Sequence, residues 1–247
     1  MMDARMNFTR FILVCFVAVA LSSCLDDGDG VEYGYYYSTI GIIEENGDGG
    51  CYVETDTGKK LLVSNPRDVL AEVSDGDRVY VEFNLTGGKP QGYDDEIDVF
   101  YVYSVLVKDP VHLKAENAKE IGDDNISVSE IWTTDEYLNF RFQFYSGGDK
   151  THYVNLVTVD EPKRTEDGYV YVEFRHNANY DSAQYPYSGI VSFNTDSFLS
   201  ENPSLKGFVV RVKTYASGEQ FYKIDFDKAG NNGEVKFSKV RNMGSLE

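Results

Sequence analysis

One short segment of the chain combines side chains that could do chemistry. It contains Arg175, His176, Asn177 and Asp181. An imidazole beside a carboxylate can serve as an oriented base or bind a metal, and His152 would join the group if its strand lies alongside. The sequence therefore offers His152, His176, Asn177 and Asp181 as a candidate site. A hydrolase that uses His176 and Asp181 is one functional hypothesis.

The pattern around His176 also supports a structural interpretation. Val170, Val172 and Phe174 alternate with more polar residues, and on a strand this spacing places His176 on their apolar face. A buried histidine needs hydrogen bonds at its ring nitrogens whether or not it catalyses, here to the backbone or to Asp181. Because a sealed ring cannot reach a substrate, a His176 closed off from solvent would exclude the His–Asp hydrolase.

Other reactive groups are poorly represented in the sequence. His112, His152 and His176 lack the short spacing of metal ligands, and paired cysteines are absent. The chain has no Gly-x-Ser-x-Gly elbow, no phosphate-binding glycine loop and no dinucleotide fingerprint. We therefore predict no metal and no cofactor. With 41 acidic residues, a hydrolase that uses paired carboxylates stays open as an alternative.

The N-terminal region has the composition of a secretory signal peptide. Arg5 and Arg10 precede an apolar run over residues 11–21, which is shorter than the roughly 20 residues of a membrane-spanning helix. Residues 21–24, Leu-Ser-Ser-Cys, then resemble the bacterial lipobox. The resemblance implies that the signal peptide is cleaved before Cys24 and that Cys24 carries a lipid.

The mature chain that this cleavage would leave is strongly acidic. It would have 224 residues and a net charge of −19, against −18 for the full sequence. Such a charge opposes nucleic-acid binding, which needs clustered basic residues. Cys51 would be the only unmodified thiol, so an intramolecular disulfide is excluded. Residues 24–33 form an acidic, flexible tether and resemble the export signal of some surface lipoproteins. We predict an outer-membrane lipoprotein of the cell envelope that faces either the cell surface or the periplasm.

Residues 34–109 predict a small barrel. Short runs of alternating apolar and polar residues are typical of strands, and they are separated by turns rich in Gly, Asn and Asp. Asn65 followed by Pro66 predicts a short helix after the third strand. Five strands with a helix in this position predict an OB-like barrel, which ends before Pro110 because proline cannot extend a ladder. The predicted strands are 35–44, 51–55, 60–63, 78–85 and 97–107.

Residues 111–247 predict a second all-β domain. In its second strand, Leu138, Phe140, Phe142 and Phe144 share one face. About eight antiparallel strands over this length fit a β-sandwich. The predicted fold class is therefore all-β, with a five-stranded OB-like barrel followed by an antiparallel β-sandwich. The predicted strands are 126–133, 137–145, 152–159, 168–176, 189–193, 207–215, 220–226 and 234–240.

Segments spread over both predicted domains carry a resemblance to a known family. These segments are 73–79 (Val-Ser-Asp-Gly-Asp-Arg-Val), 97–108, 137–140 (Tyr-Leu-Asn-Phe), 152–157 (His-Tyr-Val-Asn-Leu-Val) and 174–181. In order and spacing they resemble the NigD-like lipoproteins. Where that family usually has a glycine before the aspartate at 181, this chain has Tyr180. The resemblance implies a lipid anchor, an OB-like domain and a β-sandwich, and it implies no enzyme activity.

Tyrosines keep a binding function open. Tyr180, Tyr185 and Tyr187 in a predicted loop could stack on sugars, as could Tyr35–Tyr37 and Tyr80 in the barrel, although tyrosine also simply suits half-buried strands. The leading hypothesis is a non-catalytic, lipid-anchored envelope protein that binds a glycan or a protein partner and no nucleic acid. The alternatives are the hydrolase and an immunity or accessory factor for a secreted bacteriocin.

Overall fold

The computed structural model describes residues 35–134, 136–160, 168–226 and 240–241. Cys24, the lipobox and the acidic tether lie outside the described residues, so their assignments stay predictions. The predicted strand at 234–240 lies outside them as well, apart from its last residue. Within the described ranges, no helix is long and apolar enough to cross a membrane.

The first domain consists of five strands and one short helix. They are β1 (Tyr35–Glu45), β2 (Cys51–Thr55), β3 (Lys60–Val63), α1 (Pro66–Val69), β4 (Arg78–Leu85) and β5 (Asp95–Ser104). The strands follow the order β1-β2-β3-β5-β4, and β1 pairs with β4 to close the ring. Only β3 and β5 run parallel within this barrel. The predicted OB-like barrel is therefore confirmed.

Alternation along the strands fills the barrel. Successive side chains point to opposite faces, so Val79, Val81 and Phe83 all enter the core and are fully buried. Cys51 is buried among them as a free thiol. Burial, assisted by the charge of Glu45, raises the pKa of this thiol to about 11. Cys51 thus packs as a small apolar side chain.

The second domain is a β-sandwich. Its elements are β6 (Leu106–Lys108), β7 (Val111–Leu113), α2 (Ala118–Ile121), β8 (Ser127–Thr133), β9 (Tyr137–Ser146), β10 (Tyr153–Val159), β11 (Tyr169–Asn177), β12 (Tyr185–Asn194), α3 (Asp196–Glu201), β13 (Gly207–Thr214) and β14 (Gly218–Asp225). One sheet has the order β14-β13-β11-β10-β7 and the other β6-β12-β9-β8. Phe140, Phe174, Phe193 and Phe208 fill the core between them. A last strand, β15 (Val240–Arg241), pairs with β1 of the barrel.

The sheets differ from the sequence prediction in strand direction. We predicted an antiparallel sandwich, but β7–β10, β11–β13 and β6–β12 pair in parallel. Between β11 and β13 the chain crosses to the other sheet as β12 and returns through α3, so these two neighbours run the same way. In addition, β5 ends at Ser104, and residues 106–108 leave the barrel to form β6. Tyr185 and Tyr187, which we predicted in a loop, lie on β12.

The barrel packs against the outer face of the four-stranded sheet. Ile40 and Tyr80 of the barrel form an apolar cluster with Val105 and Ile190, and Trp132 packs against it. The chain passes from one domain to the other at Val105, which is 5% exposed. The end of the last barrel strand is therefore set by the interface between the domains.

Arg78 joins the two domains through its buried guanidinium group. The side chain is 2% exposed and forms a two-pronged ion pair with Asp56, with both N–O distances at 2.8 Å. Its Nε donates to Ser192 Oγ at 2.7 Å, and one terminal nitrogen donates to Asn139 Oδ1 at 3.0 Å. The guanidinium carbon also lies 4.3 Å from the centre of the Tyr137 ring. The second domain thus covers the start of the polar outer face of β4, at Arg78 and Tyr80, whereas Asn84 on the same face stays exposed.

Candidate functional site

The structure brings His152, His176 and Asp181 together at one end of the sandwich core. His176 lies on β11 opposite Val154 of β10, and His152 directly precedes β10. His176 is 1% exposed, and the side chains of His152 and Asp181 are 5% and 2% exposed. Three of the four candidate site residues therefore meet, and they meet in a place that solvent does not reach.

Hydrogen bonds fix the roles of the ring nitrogens. Nδ1 of His176 lies 3.0 Å from the carbonyl oxygen of Asn125, so it must donate, and Nε2 is left to accept. Burial lowers the pKa of His176, which favours its neutral ring. Nδ1 of His152 then donates to Nε2 of His176 at 2.8 Å, and Nε2 of His152 donates to Oδ2 of Asp181 at 3.1 Å. In this pattern both ring nitrogens of His152 are hydrogen-bonded, one to His176 and the other to Asp181.

Asp181 connects three parts of the chain. Its Oδ2 also accepts hydrogen bonds from the Ser146 hydroxyl at 2.6 Å and from the Gly147 N–H at 2.9 Å, and Oδ1 accepts one from the Ser182 N–H at 2.8 Å. These bonds, with that from Ser146 the strongest influence, lower the pKa of Asp181. The carboxylate therefore ties the end of β9, the start of β10 and the loop after β11 to one another.

Aromatic rings close this cluster. The centre of the Phe144 ring lies 4.5 Å from that of His152 and 5.4 Å from that of His176, and Tyr187 stacks on Phe144 at 5.9 Å. The ring nitrogens are all hydrogen-bonded within the chain, so none is left to take a proton from a substrate. A sealed His176 is the outcome that excludes the hydrolase built on His176 and Asp181.

The other residues of the segment make contacts elsewhere. Nε of Arg175 donates to Glu173 at 2.7 Å, so Arg175 lies outside the histidine cluster. Nδ2 of Asn177 donates to the Glu120 carbonyl at the end of α2 at 2.7 Å, and its Oδ1 accepts the N–H of Asn179 at 2.7 Å. Asn177 is thus a structural residue that joins α2 to the loop after β11.

The loop after Asn177 contains a strained turn. The φ angles of Asn179 and Tyr180 are +51° and +60°, and the Asp181 N–H donates to the Ala178 carbonyl at 2.9 Å. Two positive φ angles fit a type I′ turn, whose second central residue is most often glycine. Tyr180 occupies that position, where a bulky side chain strains the backbone. Its ring nevertheless lies 87% exposed.

His112 and the turn at Asn46 also use their polar groups within the chain. Nδ1 of His112 lies 3.1 Å from Thr158 Oγ1, away from the other two histidines. The Asn46 side chain accepts the N–H groups of Asp48 and Gly50 within its own turn. In the part of the chain that the structure describes, no group of three or more His, Cys, Asp or Glu side chains is arranged to hold a metal ion.

The structure also contains a cleft that the sequence reasoning missed. It has a volume of about 720 Å³ and lies beside Tyr180, with Tyr153 and Asn155 of β10 in its wall. A signal for it existed in the sequence. Tyr153 and Asn155 alternate with Val154 and Leu156, which are buried, so the first pair had to face away from the core.

Family models match nearly all of the described residues. The model of the NigD-like N-terminal OB domain matches residues 40–105, and that of the NigD-like C-terminal beta sandwich domain matches residues 109–226. The chain belongs to the NigD-like family. The resemblance drawn from the sequence segments is therefore confirmed. Two of those NigD-like segments, 73–79 and 137–140, supply Arg78 and Asn139, which meet across the domain interface.

Solved structures share the fold of this NigD-like chain. A Bacteroides vulgatus protein of unknown function is 26% identical, with a TM-score of 0.68, over 79% of this chain and 92% of that chain. A Parabacteroides distasonis protein described as toxin related is also 26% identical, with a TM-score of 0.58, over 77% and 93%. A NigD-like immunity protein from Bacteroides caccae is 19% identical, with a TM-score of 0.56, over 78% and 91%, and shows the fold alone. No match is found among curated proteins.

Proposed function

We propose that this chain is a lipid-anchored protein of the cell envelope that acts by binding a protein partner rather than by catalysis. The lipobox at Cys24 supports the anchor, and the acidic tether supports an outer-membrane location. The observation that carries the non-catalytic part is the sealed cluster of His152, His176 and Asp181, because its hydrogen-bonding groups are used within the chain.

The family relatives support a protein as the partner. One similar structure is that of an immunity protein, and another belongs to a protein described as toxin related. We extend this to the present chain as an immunity or accessory role toward a secreted protein. Because the chain has a net charge of −18, the complementary partner surface is basic.

A surface of suitable chemistry lies on the barrel. Phe100 and Tyr101 of β5 are both 51% exposed, next to a β-bulge in the pairing of β4 with β5. Asp68 and Glu72 line the same recess, which has a volume of about 340 Å³. Aromatic anchors flanked by acids fit a partner that offers apolar and basic side chains together.

The test is capture of cross-linked partners from intact cells that carry the full-length chain. The wild type is expected to enrich one defined protein, with less recovery at high salt because charge attraction is screened. The double variant Phe100→Ser/Tyr101→Ser is expected to lose at least about tenfold of that recovery. Phe221→Ser is the matched control, since Phe221 is 59% exposed on β14.

Two results would contradict the proposal. If the wild type enriches no protein above cells that lack the chain, the binding function is wrong. If the double variant and the Phe221→Ser control recover the same amount of partner, the surface at Phe100 and Tyr101 is wrong.

A further inference from the structure

The cleft beside Tyr180 has the size and lining of a ligand site. Its volume of about 720 Å³ lies within the range of small-molecule sites, roughly 300–1,000 Å³. Tyr153 and Tyr180 present rings that are 46% and 87% exposed. Asn155 and Asn179 add amide groups to the lining, while the amide of Asn177 is already bonded within the chain. The cleft therefore combines flat apolar surfaces with side chains that both donate and accept hydrogen bonds.

Tyr180 occupies its position at a conformational cost. At φ +60° a glycine would form the turn without steric strain, while the tyrosine gains little from packing because its ring is so exposed. A strained and exposed aromatic residue does not stabilise the fold. The natural explanation is a contact that the ring makes with a molecule outside the chain.

The turn that presents this ring is held from several sides. Asp181 is tied to β9 and to His152, the Ala178 N–H donates to Asp124 at 2.8 Å, and the Asn179 N–H donates to Asn177. Neighbouring side chains that fix a site in advance reduce the entropy lost on binding. The buried histidine cluster thus acts as the support of the turn, and the turn faces the cleft.

The charges of the cleft select a neutral ligand. Lys108 and Lys119 are balanced by Glu116 and Glu120. The Lys108 ammonium already donates to the Val154 carbonyl at 2.8 Å and to the Asn155 side chain at 2.6 Å, so only one of its three N–H groups is left for a ligand.

We propose that this cleft binds a neutral oligosaccharide. The apolar faces of the sugar rings would stack on Tyr153 and Tyr180, and the hydroxyl groups would bond to the side-chain amides of Asn155 and Asn179. This site lies on the sandwich and goes beyond the protein-binding function proposed above, because neither depends on the other.

The experiment is titration of the mature protein with neutral tri- and tetrasaccharides of glucose, mannose, galactose and N-acetylglucosamine, followed by NMR shifts and calorimetry. At least one is expected to bind with a Kd of about 1 mM or lower. Tyr180→Gly should weaken that binding at least about tenfold while its thermal stability equals or exceeds that of the wild type. Tyr153→Leu should weaken it to a similar extent. Tyr185→Ser, which removes a tyrosine that is 61% exposed outside the cleft, should bind as the wild type does.

Several outcomes would refute the proposal that this cleft binds a neutral oligosaccharide. These are an absence of binding by every sugar up to about 10 mM, unchanged binding by Tyr180→Gly, or binding of uronic-acid oligosaccharides alone. Loss of a cross-linked protein partner in Tyr180→Gly without any sugar binding would assign the cleft to a protein and refute the proposal too. Hydrolysis of a bound sugar would agree with sugar binding at the cleft, but it would contradict the non-catalytic function proposed above.

Discussion

The variant Arg78→Met removes the charge that joins the two domains and keeps an unbranched side chain in its place. The guanidinium donates to Asp56 twice and to Asn139 and Ser192 once each, at 2% exposure. Removal of one partner from a buried ion pair costs about 3–5 kcal/mol. Asp56 is 19% exposed and regains some water, so we expect the lower end, about 3 kcal/mol of unfolding free energy. For a chain of this size that corresponds to roughly 6–12 °C in Tm.

The assay is urea unfolding followed by fluorescence and by circular dichroism. Trp132 is the only tryptophan in the chain and packs at the domain interface, so its emission reports on that contact. In the wild type the fluorescence and the circular dichroism should change at the same urea concentration. In Arg78→Met the fluorescence should change at a lower urea concentration than the circular dichroism does. Arg67→Met serves as the control, because Arg67 lies exposed on α1.

The reasoning is refuted if Arg78→Met loses less than about 1 kcal/mol or behaves as Arg67→Met does. The double variant Arg78→Met/Asp56→Leu adds a second check. Because it leaves no unpaired carboxylate, it should be more stable than the sum of the two single changes allows. An additive result would show that the ion pair carries no coupling.

Four further predictions follow from buried or strained residues and from the anchor. Cys51 should react with thiol reagents only when urea unfolds the barrel, because burial raises its pKa to about 11, and rapid labelling of the native protein would contradict this. The pKa values of His176 and Asp181 are lowered, by burial and by hydrogen bonding from Ser146 respectively, so the unfolded chain binds more protons in acid. The free energy of unfolding should decrease as the pH drops below about 6.5, and decrease further as it drops below about 4. In the second range the urea midpoints of the wild type and of Asp181→Asn should converge. A constant gap between them would refute the role of the carboxylate. Tyr180→Gly should raise the free energy of unfolding by about 1 kcal/mol by relieving the left-handed backbone, and a loss of stability would show that the ring packs more than its exposure indicates. Cys24→Ser should abolish labelling by a palmitate analogue and release the protein from membranes, and unchanged labelling would disprove the anchor.

Alternation along the sequence was sufficient to predict most strands and the burial of His176. It works because the direction of each side chain in a strand depends on local geometry alone. The same pattern cannot say what lies over a face. Alternation with Val79 directs Arg78 away from the barrel core, but the second domain covers this side chain and buries it.

Neither the strand direction nor the cleft was predicted, because both depend on how separate strands are arranged in the fold. The parallel pairing of β11 with β13 depends on a crossing between sheets, which no local pattern records. The cleft depends on the turn at Tyr180 standing beside Tyr153, and these two residues are joined only by the packing of β10 against β11. Of the four candidate site residues, His152, His176 and Asp181 meet in the fold, where their hydrogen bonds support a turn, and Asn177 makes its contacts elsewhere.

The contacts of Arg78 with Asn139 and Ser192 also affect the sequence in which the two domains fold, because they can form only after both domains are present. Asn139 and Ser192 lie 61 and 114 residues beyond Arg78, so a barrel that forms first offers this guanidinium group Asp56 but not its two partners in the sandwich. Until the sandwich forms, the N–H groups of Arg78 that bind Asn139 and Ser192 stay hydrated, and the apolar side chains of Ile40 and Tyr80 face solvent. Contacts between residues so distant in sequence form slowly. The partly folded chain therefore exposes an apolar surface for that interval, and aggregation competes with folding at this stage.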